Sequence, residues 1–213
     1  MTVLVFGFEP FLDFDENPSQ LVAQSLDGRE IEGTKVVGLC LPVDYGRIEE
    51  AIKAGIERVR PELVIGFGLA QRRDSITPEK IAANYRSSEE SDNAGKKLGG
   101  VPIDESQPDG LFTNIPVEGL VASLRSLGFP ANLSLSAGAY LCNNAMFVIV
   151  REAKKRDFAG GFVHVPCHSE WVARKGKSLP SLPLATMVHA AEHCVAYSLR
   201  DRARSKGYPS IRA

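Results

Sequence analysis

Short apolar runs alternate with amphipathic stretches along this chain, and that alternation restricts the fold more than any other feature. The runs are Val3 to Phe8, Lys35 to Leu41, Leu63 to Gly68, Asn132 to Ser136 and Gly161 to Val165. A strand with one wet face would alternate apolar with polar residues. Several of these runs are too continuous for that and read as strands buried on both faces, mostly parallel. Helical patterns with charged faces lie between or after them, at Pro18 to Leu26, Arg47 to Arg60, Val117 to Leu127, Asn143 to Arg156 and Leu184 to Arg204. Parallel strands need crossovers that cover both faces. The predicted fold is therefore α/β, a three-layer αβα sandwich around a mostly parallel, twisted sheet. With 213 residues, 44% of them hydrophobic, the chain is long enough for one well-buried core and is read as a single domain, 1–213.

Two segments interrupt the rhythm. Asp74 to Asp109 is polar and rich in Gly, Ser and acids, too long for an ordinary connection, and is expected to be an excursion over the surface or over a site. Arg174 to Pro183 is a basic loop with two prolines that ends where the last helical pattern begins.

Charge and cysteine usage remove several function classes. A formal net charge of -1 and a pI near 6.4 give no global attraction to nucleic acid or to anionic membranes. The locally basic end "RDRARSKGYPSIRA" reads as a solvated tail. No basic region or cleavage site accompanies the apolar residues of "MTVLVFGFEPF", and no run approaches the roughly 20 residues that span a bilayer. The expectation is a cytoplasmic protein. Cys40, Cys142, Cys167 and Cys194 are spaced too irregularly for a disulfide framework, so reduced thiols are expected.

Among them Cys142 stands out, in "SLSAGAYLCNNAMFVIV". If the small-residue turn ends a strand and the apolar run is a buried helix, Cys142 occupies the first helical turn. Unpaired N–H groups and the helix dipole there favour a thiolate. The alternative is a small buried hydrophobe. A cysteine nucleophile needs a proton carrier, and His164, in "GGFVHVP", could project from a strand end into the same crevice; otherwise it is a hydrogen-bonded core histidine. His189 and His193 have the i, i+4 spacing of metal ligands, with Cys167 and His168 also available. The core stripe Leu184, Val188, Ala191, Val195 and Leu199 leaves that pair on the polar side, so no metal is expected. Gly66 and Gly68 follow a strand but lack a third glycine or a Walker lysine, which argues against a nucleotide. Glu79 is open between two readings: a carboxylate in a helical first turn after Thr77 and Pro78, or a residue of an extended stretch that orients a histidine.

The motifs "VLVFGFEPF" with "NPS" after it, "LPVDYG", "RPELVIGFGLA", "ITPEKIAAN", "DNAGKKL", "SAGAYLCNNAMF" and "GGFVHVP", in this order and spacing, resemble the pyroglutamyl peptidase I family of cysteine peptidases. The resemblance spans nearly the whole chain. It implies an exopeptidase that removes N-terminal pyroglutamate through a thioester, with Cys142 as nucleophile, His164 as acid/base and Glu79 positioning the imidazole. It further implies a lactam pocket lined by Phe8, Phe11, Tyr140 and Leu141 with Arg73 at the site, no metal or cofactor, pyroglutamyl peptides as substrate, and a homo-oligomer, dimer or tetramer. A small uncharged lactam suits such a pocket, whereas an open glutamate would bury a charge. Two other functions fit the scaffold: a cysteine amidase or acyl hydrolase with an altered acyl pocket, and a non-catalytic binding protein. The sequence departs from the family pattern at three places. Leu12 and Asp13 replace Gly-Gly. Glu89, Glu90 and Ser91 replace Arg-Ile-Pro, with Arg86 as a possible substitute for the lost cation. Cys167, His168, Ser169, Glu170 and Trp171 replace Tyr-Ile-Pro-Glu-Gln, so that only Glu170 matches. The acidic run Glu89, Glu90 and Asp92 is expected to disfavour a Cys142 thiolate.

Overall fold

The computed structural model describes residues 1–207, so the end of the basic tail, 208–213, lies outside the described residues. In chain order the first half comprises β1 (Thr2–Phe8), α1 (Pro18–Leu26), β2 (Glu30–Ile31), β3 (Thr34–Leu41), α2 (Ile48–Val59), β4 (Leu63–Leu69), β5 (Thr77–Pro78), β6 (Ile81–Ala83), β7 (Arg86–Ser87) and β8 (Gly99–Val101). The second comprises β9 (Gly110–Phe112), α3 (Val117–Ser126), α4 (Leu141–Lys155), β10 (Ala159–Val165), β11 (Cys167–His168), α5 (Ser169–Arg174), β12 (Ser181–Leu182) and α6 (Leu184–Gly207).

The main sheet has the order β2-β3-β1-β4-β10-β5. Its four long strands are parallel, as their continuous apolar sequences require, and only the two-residue strands β2 and β5 at its edges run antiparallel. Side chains alternate across the sheet with period two. Val3, Val5, Leu63, Ile65, Phe67, Val163 and Val165 pack against α1, α3 and α6 in one core, whereas Leu4, Phe6, Phe8, Val64 and Phe162 pack against α2 and α4 in the other. That is the αβα sandwich. Helix α4 is buried along nearly its whole length, which accounts for the apolar run after Cys142. Its one buried cation, Arg151, pairs with Glu49 of α2 at 2.7 Å and with Asp104 at 2.9 Å.

The expected strand Asn132 to Ser136 is present only as two isolated parallel bridges, Ile76 with Ala131 and Glu79 with Ser134. The reason is Pro78. Ile76 donates to Pro130 O, Asn132 to Ile76 O, Ser134 to Pro78 O and Lys80 to Ser134 O, at 2.8–3.1 Å. The missing rung is the one a residue-78 N–H would supply, and proline has none. At the opposite edge, β3 spends Val36 on the turn after α1, and Gly38 N–H donates to Asp27 Oδ1 at 2.8 Å.

Asp74 to Asp109 is only in part the expected excursion over the surface or over a site. Its first residues form β5 and bring Glu79 into the interior with 0% exposure. The remainder carries β6, β7 and β8 over the start of α4, with β7 paired antiparallel to β8 and β6 paired antiparallel to β9 just beyond the segment. Asn143 of that helix holds it by accepting from Ala83 N and donating to Ala83 O and Tyr85 O. After β1 the chain turns at Leu12 with φ 51°, a left-handed conformation that costs a non-glycine residue about 1–2 kcal/mol. Among the described residues no helix is long and apolar enough to cross a membrane.

Candidate active site

The carboxyl ends of β4 and β10 and the start of α4 meet in one cleft of about 600 Å³. Helix α4 begins after a turn in which Gly138 takes φ 81°, and no side chain caps it. The first-turn N–H groups, that of Cys142 included, therefore lack intrahelical acceptors. The thiol lies against β4: a Cβ on Gly68 would fall 2.9 Å from Cys142 Sγ and 2.7 Å from Phe162 Cζ. Only glycine allows that approach. Across the β4–β10 ladder the register partner of Gly68 is His164, and Cys142 and His164 both line the cleft.

Behind the imidazole is a buried polar chain. His164 Nδ1 is 2.7 Å from Glu79 Oε1, and the same oxygen accepts from Arg73 Nη1 at 2.6 Å. Arg73 Nη2 in turn donates to Ser136 O at 3.0 Å and Ser134 Oγ at 3.2 Å. Glu79 is held extended, its N–H donating to Phe162 O at 2.9 Å, which decides between the two conformations open in the sequence. Its position just past Pro78 aims the carboxylate under the neighbouring strand.

Electrostatics define the resting state. Burial pushes the Cys142 thiol up to about 12, the Glu79 carboxylate adds to the rise, and Arg73 and the residue's own N–H oppose it. Burial also lowers the His164 pKa, against the hydrogen bond and charge of Glu79. For Glu79 burial is again the largest influence and would raise the pKa, but His164, Ser134 and Arg73 together hold it below the ordinary carboxylate value. Burial thus favours the neutral thiol and the neutral imidazole, while His164, Ser134 and Arg73 favour an ionised Glu79. Desolvation of the thiol opposes the helix-start N–H groups expected to favour a thiolate. An ionised Glu79 accepts the Nδ1 proton and leaves Nε2 as the basic nitrogen.

Phe11, Arg73 and Tyr140 line the cleft, but Phe8 and Leu141 do not. Phe8 is 3% exposed and packs edge-on against Phe162 at 6.2 Å, and Leu141 is 1% exposed in the same core. Both point away because alternation along β1 and the helical turn of α4 assign them to the packed face. Arg73 has most of its donors engaged by Glu79, Ser134 and Ser136, so its geometry is that of a support for the carboxylate. Tyr140 Oη donates to Ser91 O at 2.9 Å, and its ring faces Phe11 with centroids 6.1 Å apart. Within the acidic run, Glu90 and Asp92 bear on Tyr140 of the cleft wall. Glu89 and Glu90 are exposed, Asp92 is buried with its oxygens accepting from Tyr45, Ala94 and Lys96 N–H, and the charges acting on Cys142 are Glu79 and Arg73. Arg86 acts on Tyr45 instead. His189 is exposed, while His193 packs its Nε2 2.8 Å from Ser123 Oγ. Among the described residues no three His, Cys, Asp or Glu side chains group as metal ligands. The sequence reading missed Gly68 as the seat of the sulfur; its signal was a glycine pair at a strand end.

Comparison with known proteins agrees with this geometry. The pyroglutamyl peptidase family model matches residues 1–201. Pyrrolidone-carboxylate peptidase 1 of Saccharolobus solfataricus is 52% identical over 202 residues, covering 95% of this chain and 96% of its own. The pyrrolidone-carboxylate peptidase of Pyrococcus furiosus is 34% identical, covering 94% and 99%. A solved structure of a mutant pyrrolidone carboxyl peptidase from the same hyperthermophile superposes with a TM-score of 0.91 at 34% identity, over 95% of this chain and 100% of that one. Sequence, fold and site geometry agree: the chain belongs to the pyroglutamyl peptidase family of cysteine peptidases.

Proposed function

We propose that this protein removes N-terminal pyroglutamate from peptides, with Cys142 as nucleophile, His164 as acid/base and Glu79 as the group that orients the imidazole. The observation that carries the reading is the buried 2.7 Å contact of His164 Nδ1 with Glu79, one strand from the glycine that seats the Cys142 sulfur. In the first half-reaction His164 Nε2 takes the thiol proton as Sγ bonds to the pyroglutamyl carbonyl carbon. The uncapped N–H groups of α4 hold the oxyanion. The C–N bond then breaks, the imidazolium gives its proton to the departing amine, and a thioester remains. Water, deprotonated by His164, attacks the thioester and releases pyroglutamic acid, and the proton returns to the thiol. A neutral pair, which burial favours, suits this order because the proton then moves only as the nucleophile is used. Phe11 and Tyr140 offer apolar faces to the lactam.

Hydrolysis of a fluorogenic pyroglutamyl amide, set against glutaminyl and alanyl amides, tests the reading. Selective cleavage of the pyroglutamyl amide is expected. Preference for another acyl group would support an amidase on the same scaffold, and selective alkylation of Cys142 without any turnover would sink the peptidase. Iodoacetamide should inactivate the enzyme and a chelator should not, since every step uses side chains and backbone alone. We further propose that it works as a single unit over 1–213, in the cytoplasm and as a homo-oligomer. The exposed apolar side chains Phe112 and Leu135 support association, and light scattering would measure it.

A further inference from the structure

Phe11 forms one wall of the cleft and is half-buried, packed on one side against the core that holds α4 and on the other against Phe14 and its neighbours. It stands at the start of a turn whose ends are fixed: Asn93 Nδ2 donates to Pro10 O at 3.0 Å, and the buried Asn17 donates to Glu9 O at 3.1 Å. Between them the chain passes through left-handed Leu12. What holds residues 13–16 comes from α5 and the residues beside it, more than 150 positions along the chain. The buried Trp171 stacks on Phe14 with centroids 4.5 Å apart, and Phe14 stacks on Phe11 at 5.9 Å. Trp171 Nε1 donates to Asp15 Oδ1 at 2.5 Å, and Lys175 Nζ pairs with the other oxygen at 2.8 Å. Arg174 pairs with Glu16 at 2.7 Å, with His168 Nε2 3.1 Å from the second Glu16 oxygen. Lys177 lies over the Trp171 ring at 5.0 Å.

We propose that Trp171 is a positioning residue for acyl recognition: through its stack on Phe14 and its N–H bond to Asp15 it fixes the turn that presents Phe11 to the pyroglutamyl ring. The assignment rests on the proposed function. Two aromatic contacts transmit it, Trp171 to Phe14 and Phe14 to Phe11, and the ring chain continues through Tyr140 on the far side of Phe11. The strained turn gives the clamp something to oppose, because a left-handed leucine has lower-energy conformations to relax into once its neighbours are released. Leu12 and Trp171 both depart from the family pattern, and in this fold their segments touch.

The test removes the N–H···carboxylate bond while leaving an aromatic ring on Phe14. Asp15→Ala and Trp171→Phe are each expected to raise KM for the pyroglutamyl amide about five-fold with kcat within about two-fold of wild type. Because the two share the Trp171–Asp15 bond, the effect of the double variant should fall well short of the product of the singles. Asp15→Asn, which keeps an acceptor, should stay near wild type. Hydrogen exchange of the peptide spanning residues 9–17 should quicken in both single variants, a readout that needs no substrate. Unchanged KM and unchanged exchange in folded Asp15→Ala and Trp171→Phe would overturn the assignment, as would a loss confined to kcat. A wild type that leaves the pyroglutamyl amide intact would refute the proposed function instead, and the exchange experiment would still decide whether Trp171 fixes the turn.

Discussion

The Cys142–His164–Glu79 cluster and the aromatic wall opposite it are built by opposite means. Each member of the cluster stands at or just beyond an element of the sandwich, on α4, on β10 and directly after β5, with Glu79 and His164 sealed from water. The wall depends on a turn containing a strained leucine and on ion pairs whose partners Asp15, Glu16, Arg174 and Lys175 are largely exposed. Exposed pairs are individually worth about 0–1 kcal/mol, whereas a buried charge deprived of its partner costs several. On the proposed roles, chemistry is secured by the packing of the whole molecule, and recognition by one small aromatic cluster with exposed ion pairs around it, so the two should fail separately.

The largest effect that could break this contrast lies in the cluster. Cys142→Ala and His164→Ala should each lower kcat by at least about 10³-fold with native circular dichroism, whereas Glu79→Gln should retain measurable turnover because an amide oxygen still accepts the Nδ1 proton. Wild-type rates in Cys142→Ala would remove the cluster from the chemistry. Next comes Gly68→Ala, whose new Cβ must displace the sulfur or the Phe162 ring. A sulfur moved by a fraction of an ångström should cost about 10–10² in kcat with little change in KM, the reverse of the Asp15 variants. A kcat equal to wild type would mean that the sulfur does not rest on β4 during turnover.

A subtler effect concerns pH. Protonated His164 cannot accept the thiol proton, so activity should rise as pH rises through its pKa. Burial sets that pKa below the ordinary 6.5, and the acid limb of kcat/KM should therefore lie below 6.5. A limb above 6.5 would mean that Glu79 outweighs desolvation. The smallest expected effect is that of Glu89→Gln. Since Glu79 and Arg73 are the charges acting on Cys142, removing this exposed carboxylate should leave the limb in place even at low salt. A downward shift would bring the acidic run within reach of the thiol and blur the boundary between the two regions.

The same contrast separates what was legible in the sequence from what was not. The four long strands and most of the helices could be read because buried elements repeat with fixed periods, and the resemblance identified the motif residues around Cys142, His164 and Glu79. The desolvation that opposes a Cys142 thiolate was not legible, since a helix start is visible in a sequence and the burial around it is not. Phe8 and Leu141 were assigned to the cleft because adjacency to a motif does not reveal which face a side chain takes. Pro78 was visible, but the ladder it interrupts was not, because its partner strand lies more than fifty residues away. Asp15 and Trp171 carry no periodic signal at all: their contact joins a turn to a short helix across 156 positions.

The absent rung at Pro78 also bears on how copies of this chain meet. A parallel sheet with open edges is a template for strand addition, the route by which proteins polymerise into fibrils. Here one edge is covered by a segment whose ladder lacks a donor at Pro78, and the other has a two-residue strand with the next outward N–H, that of Gly38, occupied by the Asp27 carboxylate. One edge is thus an irregular segment without a continuous ladder, and the other has one of its outward donors occupied. Both features weaken the sheet as a template for continuation into a neighbour and favour self-association through side-chain surfaces, which can be finite and closed.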